Sequence, residues 1–233
     1  MKYFPILLGL VAAQAHAASF DCSKAAAPDE HAVCADPQLS QLDDLVAKAF
    51  VQAKQASSSP DQQRSVQAYA RAFLKDRRAC QADRSCIFGS YVGVWVSYQN
   101  LGAKDAMPSW ISAPAIAGNR PAVSGPLPGR IGQCSTTQVA EITPRLDPGH
   151  PPTSQDFDSG TAINYRNTGH QVSYDREPAL LNSKPGDSVV MCLVAVPHDC
   201  PTGDDRGRVY TVTNVRTAAT WTLPDSQHSC GGA

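Results

Sequence analysis

The chain has 233 residues, 42% of them hydrophobic and 18% charged, with a formal net charge of −1. That length allows one or two cored domains, and the balanced charge gives no support to nucleic-acid binding or a basic membrane patch. Eight cysteines and 18 prolines point instead to a cross-linked chain with an irregular middle.

The first residues, MKYFPILLGLVAAQAHAAS, place Lys2 before an apolar core from Phe4 to Ala13 and end in the small-x-small site Ala15-His16-Ala17. This pattern predicts a secretory signal peptide over residues 1–17, cut before Ala18, and it is too short for a membrane span. Losing Lys2 with it moves the net charge from −1 to −2. The residues before Cys22, Ser19-Phe20-Asp21, lack the Leu and small residues of a lipidation signal. The exported chain is therefore expected to be periplasmic or secreted, and soluble rather than lipid-anchored.

All eight cysteines fall in the exported part. Cys22, Cys34, Cys80 and Cys86 lie in the first half, and Cys134, Cys192, Cys200 and Cys230 in the second. An even number in each half predicts two sets of two disulfides, with three possible pairings in each. For the first half, bridges from Cys34 to Cys80 and from Cys22 to Cys86 would staple one end of a helical bundle, and this is the pairing we favour.

Residues 18–35 read as a polar, irregular lead-in. Asp36-Pro37 and then Ser59-Pro60 each supply a cap followed by a proline at the first helical position. Behind them run the stripes Leu39, Leu42, Val46, Ala49, Phe50, Ala53 and Val66, Tyr69, Ala70, Phe73, Leu74. A third helix follows from about Cys86 to Leu101, capped by Ser85 and stopped by Gly102. Its stripe of Ile87, Val94 and Tyr98, with Tyr91 and Trp95 beside it, predicts burial along one side. Any of these aromatics left exposed would be a binding anchor. Together the three make a small disulfide-stapled bundle over residues 18–102.

Between 103 and 133, Pro108, Pro114, Pro121, Pro126 and Pro128 with four glycines predict a linker without regular structure, from which Trp110 and Ile111 pack on a neighbouring domain or a local loop. From Cys134 the period becomes two. Strands are expected at 139–142, 162–165, 171–174, 189–196, 209–213 and 220–223. Gly169 is expected to supply the positive φ of the hairpin turn. The 134–233 segment thus reads as an all-β domain, a small sandwich or open barrel. The fold class is α+β by segregated domains.

The first half resembles the lysozyme inhibitor LprI family, N-terminal domain. The matching residues are Phe20-Asp21-Cys22, Cys34, Leu42-Asp43, Arg77-x-x-Cys80, and Cys86 followed by Tyr91. The resemblance covers residues 20–101 and does not extend to the second half. It implies an envelope or secreted helical domain and, for some members, binding and inhibition of lysozyme. Asp43 is expected to serve the framework by pairing with Arg77 or Arg78.

Chemistry is sparse. Cys192, His198-Asp199-Cys200 and His228-Ser229-Cys230 imitate a zinc site, but disulfides in an oxidising compartment would consume the thiols. Asp156-x-Asp158-x-Gly160 imitates the start of a calcium loop and lacks the remaining ligands. Asp199, Asp204, Asp205 and Arg206 form the densest charge cluster, either a loop closed by Asp–Arg pairs or a binding surface. No nucleophile elbow, phosphate loop or metalloprotease motif is present. The expected function is a non-catalytic binding protein with no cofactor or metal, whose protein partner is a basic lysozyme. The alternatives are an envelope module that binds a cell-wall or protein partner, and a hydrolase seated around His198, Asp199 and His228. Residues 134–233 carry seven basic and eleven acidic side chains, which would steer a basic partner weakly.

Overall fold

Helix starts follow the local capping chemistry. In this computed structural model, which describes residues 18–120 and 122–232, Asp36 Oδ1 accepts from the N–H groups of Gln38 and Leu39 at 2.8 and 3.1 Å. That opens a helix over Pro37–Ala56 (α2), and Ser59 opens the next, Pro60–Ala79 (α3), by accepting from Gln62 N at 3.2 Å. The expected leader, residues 1–17, lies outside the described residues.

The lead-in carries more structure than its composition suggests. A 3-10 turn at Cys22–Lys24 precedes a helix over Pro28–Ala35 (α1), whose Glu30 carboxylate accepts from Ala26 N and Ala27 N. Only Asp29 and Val33 of α1 are buried, so no apolar stripe announces it; capping and a disulfide hold it instead. That disulfide joins Cys22 to Cys34 across the lead-in, and Cys80 pairs with Cys86 across the turn into the next helix. The pairing of Cys34 with Cys80 and Cys22 with Cys86 is therefore incorrect. Each bridge closes a short local loop, with separations of 12 and 6, rather than linking elements distant in sequence.

The third long helix spans Arg84–Asn100 (α4), and its cap is Asp83, not Ser85. Asp83 Oδ1 accepts from Ser85 N and Cys86 N, while the Ser85 hydroxyl turns away to donate to Ala117 O at 3.3 Å. The larger difference concerns burial. Ile87 through Trp95 are all buried, so α4 is enclosed all round rather than along one side. One face meets the α2 and α3 stripes, including Leu39, Leu42, Val46 and Phe73. The opposite face meets the β region.

Six antiparallel strands form one sheet: Cys134–Pro144 (β1), Thr161–Tyr165 (β2), His170–Ser173 (β3), Ser188–Ala195 (β4), Val209–Asn214 (β5) and Thr220–Pro224 (β6). Their order is β3-β2-β1-β4-β5-β6. Irregularities at Val139/Glu141 and Leu193/Ala195 accompany a strong curl. The curl brings the two edges together: Gln171 of β3 donates to Tyr210 O and Leu223 O, and the Trp221 indole donates to Gln171 Oε1 at 2.9 Å. The result is a half-barrel, not a sandwich. Val139, Ile163, Met191, Leu193, Val212 and Trp221 fill its inside. In the hairpin turn between β2 and β3, Thr168 rather than Gly169 takes positive φ, at 66°. Gly169 answers a different need, because a Cβ there would sit 3.0 Å from Leu127 Cδ1.

Strand β4 is buried on both faces. Val189, Met191 and Leu193 point into the half-barrel, while Cys192 and Val194 join the helical core. A Cβ on Gly93 of α4 would lie 2.3 Å from Val194 O, so the helix and strand approach at backbone distance. The 103–133 segment completes this junction. Ser112 caps a short helix over Ala113–Ala117 (α5), with Pro114 in its first turn, where a missing N–H costs nothing. Ala113 N donates to Thr213 Oγ1 of β5 at 2.9 Å, and the Trp110 ring meets Phe88 edge-on. The prolines therefore start structure here, where the composition read as excluding it. A last short helix, Pro178–Leu181 (α6), precedes β4.

Candidate binding groove

Four helices and the lead-in meet at one guanidinium. Arg77 of α3 donates from Nε to Asp29 Oδ2 of α1 at 2.8 Å and from Nη1 to the Tyr91 hydroxyl of α4 at 3.1 Å. Tyr91 in turn donates to Asp43 Oδ1 of α2 at 2.7 Å, and Arg77 Nη1 lies 3.5 Å from the same oxygen. Burial first, then the neighbouring Asp43 carboxylate, push the Tyr91 phenol far above its usual range, so it remains a donor. The Arg77 guanidinium also sits 5.8, 5.7 and 6.0 Å from the ring centres of Phe20, Phe73 and Tyr91. Asp43 thus belongs to the framework and pairs with Arg77.

Above this cluster lies a groove of about 670 Å3. Val46, Phe50 and Val51 of α2 form one wall, Ala70, Phe73 and Leu74 of α3 the other, and Phe20 closes one end. Val51 and Leu74 are each about half exposed, at 50% and 51%, and Tyr69 stands nearby on α3 at 44%. Asp21, Lys24 and Glu30 line the rim. Ser23 hydrogen bonds hold the Asp21 carboxyl below its usual value, and the Ala26 and Ala27 N–H groups do the same for Glu30. With Lys24 paired to Asp21 at 3.6 Å, the rim keeps one net negative charge.

A second cleft, of about 690 Å3, opens where α4 begins. Its charges are largely matched: Arg120 to Asp83 at 3.0 Å, and Asp76 to His198 Nε2 at 2.9 Å. His198 therefore faces α3. Among the described residues no hydrogen bond joins it to Asp199 or His228, the grouping that a hydrolase would use.

The acidic loop is closed on itself. Asp204 grips Arg206 through two 2.8 Å bonds and accepts from Gly231 N, Asp205 pairs with Arg208, and Asp199 sits at φ 58°. The Arg206 hydrogen bonds, with Gly231 N next, hold the Asp204 carboxyl far below its usual range. Cys200 pairs with Cys230 beside it, and Cys134 with Cys192, which leaves none of the eight cysteines as a thiol. Among the described residues no group of three or more His, Cys, Asp or Glu side chains is arranged to hold a metal. Asp156 caps the turn at Thr153 and Asp158 pairs with Arg176, so the calcium-like spacing is used for local closure. Tyr91, Trp95 and Tyr98 are buried, and none is an exposed anchor.

Sequence reasoning missed the groove and missed Asp29. The available signal for the groove was the apolar Val51, off the stripe of α2. No helix among the described residues is long and apolar enough to cross a membrane. Compared with protein-family models, curated proteins and solved structures, the chain matches none.

Proposed function

We infer that the protein is a non-catalytic binding protein of an oxidising compartment, and that its partner docks on the groove between α2 and α3. The supporting observation is the pair of half-exposed apolar walls, Val51 and Leu74, held over a buried polar cluster that ties four helices together. Such a surface is preorganised, so little ordering entropy opposes docking. The acidic rim at Asp21 and Glu30, with the net negative charge of residues 134–233, favours a basic partner. The resemblance of residues 20–101 to a lysozyme inhibitor family makes a basic lysozyme the partner to test first. The disulfide pairing of all eight cysteines supports export.

The test uses the full oxidised chain from Ala18. Calorimetric titration with a basic lysozyme should show binding, and lysis of a peptidoglycan suspension should slow in proportion. Val51→Asp and Leu74→Asp, both at exposed positions, should each weaken binding at least about tenfold while Tm stays within a few degrees. Unchanged binding by both variants would move the site away from the groove. A parent chain that neither binds nor inhibits would exclude lysozyme and leave the envelope-module reading, testable by capture with defined cell-wall fragments.

A further inference from the structure

The cluster under the groove is short of one positive charge. Asp29 and Asp43 are both buried, at 1% and 5% exposure, and among the described residues Arg77 is the one cation hydrogen-bonded to them. Asp29 Oδ1 has no hydrogen-bond partner among the described residues. The other charged groups near the cluster are Asp21, Lys24 and Glu30 on the rim and Arg78, which acts on Glu30 and makes no ion pair with Asp29 or Asp43 among the described residues. Lys24 is 81% exposed and engaged with Asp21, so it does not offset a buried carboxylate. An uncompensated buried charge is strongly destabilising.

The backbone at the start of the described chain runs directly into this cluster. Ser19 N donates to Asp43 Oδ2 at 2.7 Å, Ser19 Oγ donates to the same oxygen at 2.5 Å, and Ala18 is packed in the core at 7% exposure. The small-x-small site Ala15-His16-Ala17 of the expected leader predicts a cut immediately before Ala18, and the inference rests on that expectation. The nitrogen released by that cut is one residue from Ser19 N, and neighbouring residues are spaced only about 3.8 Å apart. A free α-amine has an ordinary pKa of about 7.7–8.0 and is mostly protonated at pH 7.

We propose that leader removal creates a charge-completing site: the α-ammonium of Ala18 docks beside Asp43 and acts as the second cation of the Asp29–Asp43–Arg77 cluster. In the uncut chain the same nitrogen is a neutral amide, so the helical framework reaches full stability only after processing. The inference is independent of what the groove binds.

The experiment compares three oxidised chains: one beginning at Ala18, the same chain α-N-acetylated, and one with a single Gly ahead of Ala18. Intact mass of the exported natural chain identifies its first residue, and Ala18 is expected. At pH 7 both altered chains should melt lower, by about 2–4 °C. A carboxylate partner raises the folded pKa of the amine, so its stabilisation is fully present below about 8 and is lost as pH rises through the folded value. The gap between the free and acetylated chains should therefore close at alkaline pH. NMR titration of the Ala18 amine should give a value above the ordinary range. Equal Tm for all three chains, a gap that persists at high pH, an ordinary amine titration, or an exported chain starting elsewhere would each overturn the proposal.

Discussion

At Arg77 one guanidinium holds two buried carboxylates and a phenol, so its removal strands charge rather than merely deleting contacts. Arg77→Met should destabilise the protein by about 3–5 kcal/mol, the range for breaking a buried ion pair by removing one partner. Arg77→Lys should rescue little, since a point ammonium cannot bridge Asp29 and Tyr91 from one plane. Denaturant unfolding followed by circular dichroism gives both values. His170 is a second informative residue. Burial lowers its pKa below the ordinary 6.5, against a weaker opposing pull from Asp225, while its Nδ1 lies 2.8 Å from Asn164 Oδ1. A depressed folded value means the stabilisation is present above about 6.5 and falls away as pH drops through the folded value. Stability profiles from pH 8 to 4 should show this loss in the parent chain and a shallower one in His170→Asn.

Helix α4 is the element on which both halves depend, and Gly93 is where they touch. On a free helix Gly→Ala stabilises by about 1 kcal/mol, through reduced backbone entropy. Here the added methyl would meet Val194 O at 2.3 Å, and overpacking of that kind costs about 1–3 kcal/mol. The second effect wins, so Gly93→Ala should lower stability, whereas Gly129→Ala, with nothing within 4 Å, should be near neutral. Chemical denaturation of the two variants side by side reads the sign. The same close approach explains why the periodicity of α4 was misleading. A stripe reports one buried face, and this helix buries its remaining face against β4 and the segment that holds α5.

At the scale of the whole molecule, the four disulfides differ in what they constrain. Cys134–Cys192 links directly opposed residues of β1 and β4 and closes a separation of 58, whereas Cys80–Cys86 closes 6. Loop-closure entropy then assigns about 4 kcal/mol to the first and about 2 kcal/mol to the second. Paired Cys→Ala variants should reproduce that order in thermal unfolding. The shared core carries a further consequence. Residues 18–102 alone would expose the α4 face that meets Val194, so this fragment should bind a hydrophobic dye and melt well below the full chain. The helical and β regions are segregated along the chain, yet they are continuous through α4, α5 and β4.

Much was legible where the physics is local. Asp36-Pro37 and Ser59-Pro60 determined two helix starts because a cap and a proline act within one turn; alternation marked five strands because a pleat exposes neighbours to opposite faces, and a continuous apolar run marked β4, which is buried on both. The confinement of four cysteines to each half likewise anticipated that bridges stay within halves. What the sequence left open depends on distance in space. Asp29 meets Arg77 across 48 positions, the groove needs stripe residues of two helices to stand apart with Val51 beside them, and Gly93 matters only because a strand about a hundred residues later presses a carbonyl against it. Capping and periodicity are properties of a segment, whereas charge pairing, groove walls and backbone contact belong to pairs of segments, and tertiary packing alone decides which segments meet.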